Sequence, residues 1–139
     1  MTGLDTNILV YALDPTFPEH AQARDAILDL ASWSVNPTVI HEAYHTLVFK
    51  RKMSPRDAMR KIVEFLEDSR TIFINQTIRS TLFSINIAVN HNLGGRDSLI
   101  IGCYLYSKVS SLLTHDEEIL NLKELHFRGR HIEFKDAII

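Results

Sequence analysis

The sequence predicts an α/β fold, a mainly parallel sheet of four or five short strands with helices on both faces. Three observations lead there. Short β-branched or apolar runs such as Ser111–Thr114 alternate with longer stretches whose apolar residues recur every three or four positions. Only five glycines and four prolines punctuate 139 residues, so the elements are long and flexible linkers are absent. Strands separated by helices pair most economically in parallel, through right-handed crossovers.

Each element has a local reason. Met1–Leu4 reads as a strand stub ending at Asp5, followed by helix through Ile8, Leu9 and Tyr11. Asp14-Pro15 stops that helix, because proline pushes the preceding residue out of the helical region. From Glu19 to Ala31, Ala23, Ile27, Leu28, Leu30 and Ala31 recur at helical spacing. Trp33–Val35 reads as a short strand broken by Asn36-Pro37, with a helix from about Val39 to Phe49 ended by the cations Lys50-Arg51-Lys52. Ser54-Pro55-Arg56-Asp57 is a helix start, with Ala58, Ile62, Phe65 and Leu66 as the buried face. Thr71–Ile74 reads as a buried strand. Thr77 caps a helix whose Ile78, Leu82, Ile85 and Val89 fall on one stripe, the pattern of a core-facing surface, and the glycines of Asn92-Leu93-Gly94-Gly95 supply a left-handed end. Asp97–Val109 is apolar nearly all round and reads as a buried helix. Ser111–Thr114 is a strand, Glu117–Leu122 a short helix and His131–Phe134 the last strand.

The length suits one compact domain over residues 1–139, and the 45% hydrophobic and 23% charged residues exclude disordered, collagenous and coiled-coil classes. No apolar run approaches the roughly 18 residues of a membrane span, and no signal peptide is recognisable, so a soluble cytoplasmic protein is expected. The lone Cys103 cannot form an intrachain disulfide and reads as a small buried filler. A formal charge of −2 excludes broad electrostatic nucleic-acid binding, so such a role needs a local site.

In open parallel sheets, functional groups gather outside the carboxyl ends of the strands. Asp5 follows the first strand, Asp116 follows Ser111–Thr114, Asp97 begins the apolar helix, and Glu42 lies near the start of the helix after Trp33–Val35. Singly, Asp97 and Asp116 could be helix N-caps and Glu42 a solvated residue. Together, four carboxylates repel unless cations compensate them, and hard oxygen donors favour magnesium or manganese over zinc.

Leu4-Asp5-Thr6-Asn7-Ile8-Leu9, the helical Glu42, Gly95-Arg96-Asp97-Ser98-Leu99-Ile100 and Leu113-Thr114-His115-Asp116-Glu117-Glu118-Ile119 stand in the order and approximate spacing of PIN domains. Over essentially its whole length the chain resembles the single-domain VapC-type toxins of toxin–antitoxin pairs. The resemblance implies a metal-dependent endoribonuclease with Asp5, Glu42, Asp97 and Asp116 at the acidic positions and Thr6, Asn7 and Thr114 supporting them. Glu117 and Glu118 are extra acids that leave the fourth ligand open. Four negative charges match two divalent cations, Mg2+ or Mn2+, one held mainly by Asp5 and Asp97 and the other by Asp116 and Glu42. Arg96, beside Asp97, is the favoured RNA contact, ahead of the basic residues Lys50, Arg51, Lys52, Arg56, Arg60 and Lys61. The resemblance further implies a homodimer and a small antitoxin whose tail occupies the acidic cleft.

Two rival readings come from the residues. His41-Glu42-Ala43-Tyr44-His45 fits the H-E-x-x-H zinc-peptidase pattern, with Glu64 available as third ligand, but it leaves Asp5, Asp97 and Asp116 unexplained. A non-catalytic, magnesium-binding receiver or scaffold domain is the other. A receiver needs an aspartate at the end of the third strand, where this chain has Ile74-Asn75-Gln76.

Overall fold

The computed structural model describes Met1–Ile139. Asp5 ends β1 (Thr2–Leu4) and caps α1 (Thr6–Leu13), which stops at Asp14, one residue before the proline. Then come α2 (His20–Leu28), shorter than its periodicity suggests, and β2 (Trp33–Val35). Asn36-Pro37 starts a helix where a longer break is expected: the Asn36 side chain accepts the Val39 amide, and Pro37 opens α3 (Pro37–His45). Past His45 the helix widens into one π-helical turn over Thr46–Lys50, closed by Arg51 N donating to Thr46 O at 2.9 Å.

Ser54 caps α4 (Pro55–Glu67) by accepting the Asp57 amide, as its sequence requires. Next is β3 (Thr71–Phe73), whose Ile72 and Phe73 are exposed and not buried, because this strand forms one edge of the sheet. Thr77 and Ser80 make a reciprocal capping box at the start of α5 (Ile78–His91). Its left-handed end is Asn92, at φ 53°; Gly94 instead lies in extended backbone and caps α6 (Gly95–Tyr106). The chain closes with β4 (Ser111–Thr114), α7 (Glu117–Leu122), β5 (Glu124–Phe127) and β6 (Arg130–Asp136).

The sheet runs β3-β2-β1-β4-β6-β5, with all neighbours parallel except the β5–β6 hairpin. It has six strands, one more than expected. The missing strand was β5, a four-residue edge whose Glu124 and His126 face outward and mask the inward Leu125. Apolar clusters form on both faces. Adjacent residues of β4 point oppositely, so Leu112 enters a cluster with Ile101, Leu105 and Ile132, while Leu113 joins Leu4, Ile8, Ile27 and Trp33. Tyr104 and Cys103 are buried in the larger cluster.

The stripe on α5 is a correction. Ile78, Leu82, Ile85 and Val89 are 80%, 58%, 56% and 78% exposed, and the helix buries Ser80, Phe83, Ser84 and Ile87 instead. Small residues explain this choice: α5 meets α6 so closely that a Cβ on Gly102 would lie 2.7 Å from Ser84 Cα. Close backbone approach selects the serine face, leaving the apolar stripe uncovered.

Candidate active site

The carboxyl ends of β1 and β4 carry the centre of the site. Asp5 is only 7% exposed, and its own amide donates to Leu113 O at 2.9 Å, locking it to the sheet. Thr6 N donates to Asp5 Oδ1 at 2.8 Å and the Thr114 hydroxyl to Asp5 Oδ2 at 2.7 Å. Burial nevertheless pushes the Asp5 carboxyl up to about 6, against those hydrogen bonds and with help from the charges of Asp97 and Asp116. Beneath this corner, the buried Tyr104 hydroxyl donates to Leu4 O at 2.6 Å and to Ser34 O at 3.2 Å, tying the ends of β1 and β2 together.

Three further acids surround Asp5 from three helices. Glu42, in the second turn of α3, accepts the Thr6 hydroxyl on Oε1 at 2.7 Å and pairs through Oε2 with Arg96 Nη1 at 3.2 Å. Asp97 lies in the first turn of α6, where burial raises its pKa first, then the charges of Asp116, Glu42 and Glu118, with Arg96 opposing. Asp116 does cap α7, accepting Glu118 N at 2.9 Å and Ile119 N at 3.2 Å on Oδ1. Asp116 is therefore an N-cap and at the same time a member of the acidic group, since its charge acts on Asp5 and Asp97. The Thr114 hydroxyl links two acids by accepting Asp116 N at 3.1 Å while donating to Asp5. Asn7 Oδ1 accepts His115 N at 3.4 Å, tying the loop after β4 to α1.

All four acids, with Thr6, Asn7 and Arg96, line one open cleft of about 580 Å³. Val10, Tyr11, Phe17, His41, His45, Thr46 and Lys50 complete its walls. His41 and His45 thus line the cleft; their i, i+4 spacing around Glu42 was the available signal. Tyr11 has the same signal, one turn after Asn7. Arg51 leaves the basic flank, because it bonds Asp14 Oδ2 at 3.1 Å and Thr16 Oγ1 at 2.9 Å and covers the Phe17 ring at 3.7 Å. It holds the wall in place.

The rival sites do not assemble. Glu64 borders a separate pocket with Leu13, His20 and Lys61, whereas His41 and His45 face the acidic cleft, so the zinc-peptidase triad lacks its third ligand. At the end of β3, Gln76 exchanges hydrogen bonds with Thr38 at 2.8 and 3.0 Å, and no receiver carboxylate is present there. The acidic cleft itself suits a hard divalent cation. Its donors are four carboxylates lining one cleft, two of them with raised pKa values, and Arg96 is the one cation paired with them.

A family model for the PIN domain matches residues 4–125. The chain belongs to the PIN domain family. All four acids of this PIN domain fall inside the matched stretch, which ends within β5. Its fold is shared with VapC20 of Mycobacterium tuberculosis, a sarcin-ricin-loop-cleaving toxin, at a TM-score of 0.74 and 12% identity over 94% of this chain and 99% of that one. VapBC2 of Rickettsia felis, bound to a DNA fragment from its promoter, gives 0.69 and 16% over 97% of both chains. A toxin–antitoxin complex from Klebsiella pneumoniae gives 0.65 and 17% over 84% of this chain and 87% of that one. At such identities the likeness is one of fold. No curated protein matches the chain by sequence. No helix is long and apolar enough to cross a membrane.

Proposed function

We propose that this PIN domain is a magnesium- or manganese-dependent endoribonuclease and the toxin of a toxin–antitoxin pair, acting as a single domain over residues 1–139. The convergence of Asp5, Glu42, Asp97 and Asp116 on one cleft carries the reading. In it, Asp5 and Asp97 are the principal metal-holding groups, with Asp116 and Glu42 completing the set. When bound, the divalent cations supply charge neutralisation and Lewis acidity toward a phosphodiester.

The chain's own residues do the positioning. Thr6 and Thr114 fix the acids: each oxygen of Asp5 accepts one hydrogen bond and keeps a second lone pair for a cation. Arg96 neutralises Glu42 through an ion pair whose arginine side chain is 81% exposed, so the contact is weak and readily exchanged. A phosphate of the RNA can replace Glu42 as its partner. Lys50, which also lines the cleft, supplies a second cation for the backbone, while His41 and His45 offer donors to phosphate or base.

The covered partners follow from the same reading. The exposed Ile78, Leu82, Ile85 and Val89 of α5 form an apolar face that a homodimer would bury, and the acidic cleft is open enough for a basic antitoxin segment. The fold shared with chains of toxin–antitoxin complexes supports the antitoxin partner. The test is cleavage of labelled total cellular RNA by purified protein with magnesium, compared with Glu42→Gln and Asp116→Asn. Loss of cleavage in both variants, with unchanged circular dichroism, supports the proposal; wild-type-like cleavage in both rejects it.

A further inference from the structure

The β5–β6 hairpin carries a second group of metal-ligating side chains, away from the cleft. Glu124, His126 and His131 present ligand atoms that all lie within 4.8 Å of one another. His126 Nε2 is 3.0 Å from Glu124 Oε1 and His131 Nε2 is 3.1 Å from Glu124 Oε2, so one carboxylate spans both imidazoles. The two rings lie 4.5 Å apart, tilted by 33°. No residue of this group lines the acidic cleft, and His126 and His131 fall beyond the stretch matched by the PIN family model.

The backbone holds this arrangement. A two-residue turn, Arg128-Gly129, joins the strands with φ values of 51° and 76°, the left-handed pair that a tight hairpin needs. It fixes the register His126↔His131 and Glu124↔Glu133. Phe134 N donates to Lys123 O at 2.9 Å, and hydrogen-bonded and open pairs alternate along an antiparallel ladder. Both the His126–His131 and Glu124–Glu133 pairs therefore occupy open positions, where facing side chains come closest. The alternation of strand faces puts all four on one side of the hairpin.

We propose that Glu124, His126 and His131 form a binding site for a borderline divalent transition ion, Zn2+, with the fourth position left to water. Two imidazoles and a carboxylate are the donor set of zinc sites that keep one position open. Bonds of about 2.0–2.2 Å place tetrahedral ligands ~3.3 Å apart, close to the spacing already present between the carboxylate and each ring. Imidazole nitrogens select zinc, nickel or copper over magnesium, so this site and the acidic cleft take different ions. A bound ion ties the outermost strand to its neighbour at the free edge of the sheet.

The experiment is zinc titration of untagged protein, by equilibrium dialysis with metal analysis and by NMR of the histidine rings. Four variants accompany the wild type: His126→Ala, His131→Ala, Asp97→Asn to weaken the cleft, and His41→Ala/His45→Ala to remove the other histidine pair. One equivalent of zinc is expected on the wild type, on Asp97→Asn and on the His41/His45 variant, with shifts confined to the His126 and His131 rings. Affinity falls at least tenfold in His126→Ala and in His131→Ala; the His126 side chain is exposed and that of His131 half-buried, and circular dichroism checks that the variants fold. Failure of the wild type to hold zinc, undiminished binding in the His126 and His131 variants, or shifts at His41 and His45 instead, would each overturn the assignment.

Discussion

The acidic cleft and the β5–β6 hairpin both gather ligands at the sheet, yet their electrostatics are opposite. In the cleft, carboxylates face carboxylates, and one of them is buried with its pKa raised to about 6. On the hairpin, a carboxylate already lies between two imidazoles at hydrogen-bond distance, near the surface. The cleft is therefore under electrostatic stress in the metal-free protein, from burial first and from neighbouring charges second, whereas on the hairpin both carboxylate oxygens of Glu124 have a hydrogen-bond partner. Perturbed carboxylates gathered in one cleft are a mark of a candidate functional site, whereas hydrogen-bonded pairs at a surface contribute little to stability by themselves.

The largest expected effect is on catalysis. Asp97→Asn should lower RNA cleavage by about 100-fold or more, the usual scale for removing one group that stabilises charge in a transition state. Rates measured at saturating magnesium check it. A drop of only a few-fold would place the cleft's stress outside the reaction.

Next comes a stability change of opposite sign. The folded protein holds the Asp5 proton more tightly than the unfolded chain, because its pKa is raised from 3.8 to about 6. The contribution of Asp5 to the stability of the metal-free protein is therefore full below pH ~4 and is lost as pH rises through about 6, by roughly 3 kcal/mol. Asp97, also raised, acts in the same direction. Asp5→Asn should abolish much of this loss, so that with chelator present the variant outlasts the wild type at pH 8 and matches it at pH 4. Urea denaturation at the two pH values tests this, and a variant less stable than wild type at pH 8 would break the comparison.

Magnesium should relieve the same stress. At a hundredfold excess over Kd it stabilises the folded protein by about 2.7 kcal/mol, and the rise in thermal midpoint should shrink in Asp97→Asn. The smallest effect belongs to the cleft histidines: His41→Ala and His45→Ala should each retain cleavage to within about tenfold, or ~1.4 kcal/mol, since they neighbour the acids without belonging to them. Near-complete loss from either change would restore a histidine-centred site.

Where structure is decided locally, the sequence was readable. Ser54, Thr77 and Asp14-Pro15 act within a few residues of themselves, and each helix boundary follows its chemistry. The four acids were legible because they stand just past strand ends or in the first two turns of helices, positions that the α/β topology brings to one edge. Periodicity, by contrast, names a face without naming its partner. The Ile78–Val89 stripe was read as core because nothing local shows that Ser84 and Gly102 win the contact. The role of Arg51 depends on Asp14, Thr16 and Phe17, more than thirty residues away in sequence, and was invisible for the same reason. Strand β5 escaped because a short edge strand needs only one inward residue, Leu125, to belong to the sheet.

The chemistry of the cleft is tested most directly by mapping the ends of cleaved RNA, with and without chelator. Hydrolysis at a carboxylate-held divalent cation uses water and not the RNA 2'-hydroxyl, so the account predicts 5'-phosphate and 3'-hydroxyl ends, formed only with magnesium or manganese. Cleavage that survives chelation, or that leaves 2',3'-cyclic phosphate, would contradict it.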